Sequence, residues 1–117
     1  MTELIVVPTP SELARPAAEW LELEMNRAIG ARGTCSVCLA GGRTPEPVYR
    51  ELASTSRIDC TKVDVFFGDE RAVPPDHPDS NYLMVHRVLL SRVSVSPGQV
   101  HRMEAERSDQ EAAAREY

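Results

Sequence analysis

The amino-acid sequence predicts an α/β domain built on a mainly parallel sheet with helices on both faces. Three observations carry that prediction. Short aliphatic runs at residues 4–7, 34–40 and 63–67 are bounded by Pro, Gly or polar residues and read as buried strands. The stretches that follow them place apolar residues three and four apart, as amphipathic helices do. Strand and helix alternate along the chain, which is the order that parallel strands joined by helical crossovers require.

Each element has its own signal. Residues 4–7 are ended by Pro8, and Thr9-Pro10-Ser11-Glu12 then forms a capping box with Pro at the first helical position. The helix expected next puts Leu13, Ala17, Leu21, Met25 and Ala28 on one side, with Glu19, Glu22, Arg27 and Arg32 on others. Pro16 conflicts with it, because deep in a helix its ring meets the carbonyl of Glu12 and a hydrogen bond is lost. Either the helix kinks there or its regular part begins nearer Arg15; Gly30 and Gly33 supply the exit.

The second strand, residues 34–40, runs directly into Gly41-Gly42-Arg43-Thr44-Pro45, after which Val48, Leu52 and Ala53 carry helical spacing up to Ser54. Residues 63–67 form the third strand. Gly68 opens a polar, Pro-bearing loop that runs to about Ser80, close to the ~12 residues beyond which loops are functional or disordered. Tyr82, Val85, Val88 and Leu89 make another helix, capped by Asp79 or Ser80. Pro97 and Gly98 mark a turn into a brief strand over residues 100–103, and Ser108-Asp109-Gln110-Glu111 is a second capping box that opens a short last helix. That helix is below the ~12–15 residues at which isolated helices become marginal, so it needs packing partners. In a Rossmann-like arrangement of this kind, ligands bind beyond the carboxyl ends of the strands.

Composition narrows the function. The chain has 117 residues, enough for one modest domain, with 13 Lys plus Arg against 18 Asp plus Glu and a formal net charge of -5. That balance argues against nucleic acid as a partner, since phosphate-backbone binding needs clustered cations. No apolar stretch approaches the ~20 residues of a membrane span, and no basic leader precedes Leu4, so a cytoplasmic location is expected. Cys35 and Cys38 match C-x-x-C, but residues three apart on a strand face opposite ways, so core thiols are expected rather than a redox or metal pair. No Ser/His/Asp order or G-x-S-x-G elbow is present.

Two segments can carry chemistry. Gly41-Gly42-Arg43-Thr44-Pro45 lies between strand and helix, where glycines let backbone N–H groups approach an anion and where Arg43 and Thr44 add charge-assisted and hydroxyl bonds. Phosphate is the natural guest, although the pattern is neither G-x-G-x-x-G nor the Walker lysine loop. The plainer alternative is an ordinary capped turn. Gly68-Asp69-Glu70-Arg71 ends the third strand and offers two carboxylates for acid and base work with a guanidinium for an anion. Its plainer alternative is a solvated turn with a surface ion pair. Asp76, His77 and Asp79 lack a recognised metal-ligand spacing, and His86 and His101 read as structural or exposed.

Taken together, Leu39-Ala40-Gly41-Gly42-Arg43-Thr44-Pro45, Val65-Phe66-Phe67-Gly68-Asp69-Glu70-Arg71, residues 75–82 and Val100-His101-Arg102 closely resemble the amino-terminal half of the 6-phosphogluconolactonase family, within the wider glucosamine-6-phosphate isomerase and phosphogluconolactonase superfamily. The resemblance implies hydrolysis of 6-phospho-D-glucono-1,5-lactone to 6-phosphogluconate in the pentose phosphate pathway, with no metal or organic cofactor. By position it implies that Gly41, Gly42, Arg43 and Thr44 form part of the sugar-phosphate site. Asp69 and Glu70 would lie on the active-site loop, Arg71 would hold substrate, and Asn81 would shape that loop. Arg43 stands where the family more often has Ser.

The family's principal histidine belongs to a Gly-Asp-Gly-His segment in its second half, and nothing here matches it. The expectation is therefore a single, incomplete domain over residues 1–117, the first half of a larger one, that self-associates or pairs with its missing second half. Two other readings stand beside the lactonase: a noncatalytic phosphosugar-binding domain, and a sugar-phosphate isomerase or deaminase.

Overall fold

The computed structural model describes residues 2–55 and 57–117. Its centre is a parallel pair of strands, β1 (Cys35–Leu39) and β2 (Val63–Phe67), in register Cys35 with Val63 through Leu39 with Phe67. The connection between them is a helix, α2 (Glu46–Thr55), as a parallel crossover demands. Before β1 comes α1 (Ala14–Arg32), and after β2 come α3 (Asn81–Val88) and α4 (Gln110–Glu116).

Side chains alternate across the strands, and the alternation assigns the core. Cys35, Leu39, Val63, Val65 and Phe67 are buried on one face, where Ala18 and Met25 of α1, Val48, Tyr49 and Leu52 of α2, and Val85 and Val88 of α3 join them. Each such aliphatic side chain contributes about 1.5–3 kcal/mol when fully buried. The second face is thinly covered. Ser36 and Cys38 are exposed, Asp64 and Phe66 half-buried, and the cover over Phe66 comes from the His101 ring and from Tyr117 at the end of α4.

Several expectations need correcting. Residues 4–7 form no strand: Leu4, Ile5 and Val6 are 84%, 60% and 79% exposed. An aliphatic run becomes a strand only where a neighbour accepts its backbone hydrogen bonds, and no described residue does so here. Of the two readings of Pro16, the kink falls and the other holds: the regular helix begins at Ala14, beside Arg15, and runs unbroken to Arg32. Pro16 lies in the first turn, where an absent N–H costs nothing, and Pro10–Glu12 ahead of it is a separate 3-10 turn. The proposed capping box at Thr9 makes no side-chain cap bond.

The strand proposed for residues 100–103 is reduced to one parallel bridge, Val65 with Val100, and one bond from His101 N–H to Val65 O at 2.8 Å. Asp109, not Ser108, caps α4, accepting from Ala112 N–H at 2.9 Å. Cys35 is buried and Cys38 exposed, so the two thiols diverge, although only the first is a core thiol.

Candidate functional site

The site is built from the carboxyl ends of β1 and β2, whose following loops are drawn together by one side chain at the start of α3. Gly41 leaves β1 so close to Asn81 that a Cβ placed on it would lie 2.0 Å from Asn81 Oδ1 and 2.2 Å from Cγ. Only hydrogen fits there. Gly42 has φ +97°, a left-handed conformation that side-chain-bearing residues avoid. Both glycines of the sequence motif are therefore required by geometry, one for close approach and one for backbone shape.

Asn81 is 5% exposed, and its Nδ2 donates to Asp69 Oδ1 at 3.0 Å and to Asp69 O at 3.3 Å. One amide thus touches the first loop and holds the second. Asp69 itself remains exposed.

Glu70 does something different. Its Oε1 accepts from Asn81 N–H at 2.7 Å and Arg71 N–H at 2.8 Å, and its Oε2 from Tyr82 N–H at 2.9 Å and Ser80 Oγ at 3.2 Å. Ser80 in turn accepts from Leu83 N–H at 3.2 Å, which makes it the cap of α3, one of the two residues expected to be so. The orphan donors of the first turn of α3 are met by Glu70 and Ser80, and the positive end of its dipole faces a carboxylate.

An incoming anion therefore finds the α3 terminus already occupied. The opening of α2 carries no such carboxylate bridge from the second loop. The turn over residues 43–45 leads into it, with Arg43 and Thr44 exposed. Among the described residues, neither Arg43 nor Arg71 has a carboxylate within ion-pair distance, so both guanidinium charges are available to a phosphate.

The remaining candidates lie outside this arrangement. His77 Nδ1 accepts from Asp79 N–H at 3.1 Å within its own turn, and no cluster of described residues is suited to a metal ion. His86 stacks on Tyr82, and His101 stacks on Phe66 at 4.3 Å while its Nε2 lies 3.1 Å from Asp64 Oδ1.

Sequence reasoning missed three features. Tyr49 and Tyr117 hydroxyls bind main-chain groups at the strand ends. Gln99 Nε2 donates to Cys60 O and Val63 O. Arg102 makes a two-bond fork with Glu106, at 2.9 and 2.7 Å. Only the last had a readable signal, an Arg four residues before a Glu.

That fork carries a pH dependence. The Arg102 hydrogen bonds hold the Glu106 carboxyl down from 4.5 to about 2. A depressed folded-state value stabilises the fold fully above 4.5, and that contribution fades as pH falls toward 2. Glu106→Gln is therefore expected to flatten the acid side of the stability profile between pH 4.5 and 2 in urea unfolding. An unchanged slope in that window would refute the assignment.

The family model described as "Glucosamine-6-phosphate isomerases/6-phosphogluconolactonase" matches residues 8–117. A 6-phosphogluconolactonase of a Nostoc species is 36% identical over 96 residues, covering 82% of this chain and 40% of the relative. One from Streptomyces coelicolor is 36% identical over an alignment spanning 99% of this chain and 48% of the relative. The crystal structure of 6-phosphogluconolactonase from Thermotoga maritima superimposes with a TM-score of 0.79 at 34% identity, covering 86% of this chain and 45% of that one. The chain thus spans less than half the length of these relatives.

Proposed function

Because the chain belongs to the family of glucosamine-6-phosphate isomerases and 6-phosphogluconolactonases, we propose that it provides the sugar-phosphate-binding part of a 6-phosphogluconolactonase, which hydrolyses 6-phospho-D-glucono-1,5-lactone to 6-phosphogluconate. The observation that carries this reading is the junction at Asn81, which brings the glycine loop and the Asp69 loop to one place. Backbone N–H groups of Gly41 and Gly42, the Thr44 hydroxyl and the Arg43 and Arg71 guanidinium groups meet the phosphate dianion.

Lactone hydrolysis adds water at the carbonyl carbon and breaks its bond to the ring oxygen, so it needs a base for the water and a donor for the developing oxyanion. Asp69, exposed and held by Asn81, is the carboxylate of this chain that can accept a proton or a substrate hydroxyl. Glu70, with four donors on its two oxygens, keeps the loop in place.

The net charge of -5 speaks against nucleic acid, and no described helix is long and apolar enough to cross a membrane. A cytoplasmic location fits a sugar-phosphate enzyme. The exposed Leu4, Ile5 and Val6 and the thinly covered second face fit self-association or pairing with the second half of the fold.

The test is calorimetric titration of the folded chain with 6-phosphogluconate, beside an assay of lactone hydrolysis. Saturable binding is expected, weakened about ten- to one-hundred-fold by Arg43→Ala because a charge-assisted bond is worth roughly 1.5–3 kcal/mol. No heat from a folded sample would refute the binding site. Turnover of glucosamine 6-phosphate and not the lactone would move the chain to the isomerase branch.

A further inference from the structure

Two phenols terminate the sheet at its ligand end, and they do it the same way. The Tyr49 hydroxyl donates to Ala40 O at 2.9 Å and accepts from Ala40 N–H at 3.0 Å. The Tyr117 hydroxyl accepts from Phe67 N–H at 2.7 Å and donates to Phe67 O at 3.2 Å. In each case one oxygen serves both main-chain groups of one residue.

The positions of those residues give the pairs their meaning. Leu39 O accepts from Gly68 N–H at 3.0 Å, so the inner side of the pair is occupied by strand-to-strand bonding up to the loops. Along β2 the outer edge is met by His101 N–H at Val65 O, and two residues on, at Phe67, by Tyr117. Along β1, Ala40 presents its groups to Tyr49 from the helix that follows the glycine loop. Ala40 immediately precedes Gly41, and Phe67 immediately precedes Gly68. An unpaired edge peptide at either point would be free to twist, and the twist would pass directly into the loop behind it.

We propose that Tyr49 and Tyr117 are positioning residues of the sugar-phosphate site, two hydroxyls that close the outer edges of β1 and β2 where the ligand-bearing loops begin. The proposal deepens the sugar-phosphate reading and rests on it for its effect on affinity. Its effect on the loops does not. Tyr49 is 4% exposed and staples α2 back onto the end of β1, so the glycine loop is anchored at both of its ends. Tyr117 is 44% exposed, and its ring edge also meets Phe66 at 6.4 Å, a contact that phenylalanine would keep.

The experiment compares Tyr49→Phe and Tyr117→Phe with wild type by amide hydrogen exchange, with urea unfolding as the stability reference. Exchange at Phe67, Gly68 and Asp69 is expected to quicken about ten-fold in Tyr117→Phe, and at Ala40, Gly41 and Gly42 in Tyr49→Phe, with the Val85 and Val88 amides following global stability alone. The dissociation constant for 6-phosphogluconate is expected to rise about three- to ten-fold in each, part of the effect of the two hydrogen bonds lost at the strand end. Quickening spread evenly over all amides would mean a purely structural role and overturn the proposal, as would no quickening in the exposed Tyr117→Phe, which removes only an oxygen. Were wild type to bind no 6-phosphogluconate, the sugar-phosphate reading would fall while the exchange pattern still decided the positioning role.

Discussion

Gly41→Ala is expected to abolish measurable 6-phosphogluconate binding and to cost about 1–3 kcal/mol of stability, the range for a methyl forced into a packed site. The new Cβ would sit 2.0 Å from Asn81 Oδ1 and 2.7 Å from Nδ2, so one of the two loops must give. Asn81 cannot simply swing aside, because its Nδ2 holds Asp69 and its main-chain N–H is bound by Glu70. Moving the amide releases Asp69, and moving Gly41 displaces the N–H groups proposed to bind the phosphate.

Gly30 is the internal control. A Cβ there meets nothing within 4 Å, and in the last turn of α1 an alanine is expected to stabilise by at most about 0.5–1 kcal/mol. The pair is read by thermal unfolding and titration, with Asn81→Ala added in a double-mutant cycle. The double variant should cost less than the sum of the singles, because Asn81→Ala removes the atoms the new methyl strikes. Strict additivity, or full ligand affinity in Gly41→Ala, would show that the two loops are not coupled at this contact.

What the sequence could disclose depended on how local the cause was. Val63–Phe67 was readable to the residue because its apolar run and the Lys62 and Gly68 that bound it are contiguous in the chain. The cap of α3 was readable as Asp79 or Ser80 because such a bond is local; the structure gives it to Ser80, whose partner, Leu83 N–H, is three residues away. Residues 4–7 were misread for the opposite reason: their composition suits a strand, but pairing is a property of a neighbour.

The candidate site divides along the same line. Gly42 could be picked out from its place after a strand, and its positive φ agrees with that reading. The reason for Gly41 could not be found that way, because the atom excluding a side chain there belongs to Asn81, forty residues later. Tyr49 and Tyr117 had no signal, since a tyrosine on an amphipathic helix is unremarkable until its hydroxyl is seen on a strand end. The two carboxylates of Gly68-Asp69-Glu70-Arg71 looked equivalent in sequence, and only the distant start of α3 separates them.

That separation sets the second large effect. Glu70→Ala is expected to destabilise by about 2–4 kcal/mol, since it strips charge-assisted acceptors from Asn81 and Tyr82 N–H, from Ser80 Oγ and from Arg71 N–H while Ser80 and Asn81 stay buried. Glu70→Gln keeps the length but puts an NH₂ among donors, so it should recover only part of the loss. Asp69→Asn touches none of those bonds and keeps an Oδ1 to accept from Asn81 Nδ2, so it is expected to leave unfolding within about 0.5 kcal/mol of wild type while impairing ligand affinity or turnover. Urea unfolding of the three variants separates the roles. If Asp69→Asn proved the destabilising change and Glu70→Ala unfolded like wild type, the assignment of positioning to Glu70 and ligand chemistry to Asp69 would have to be reversed.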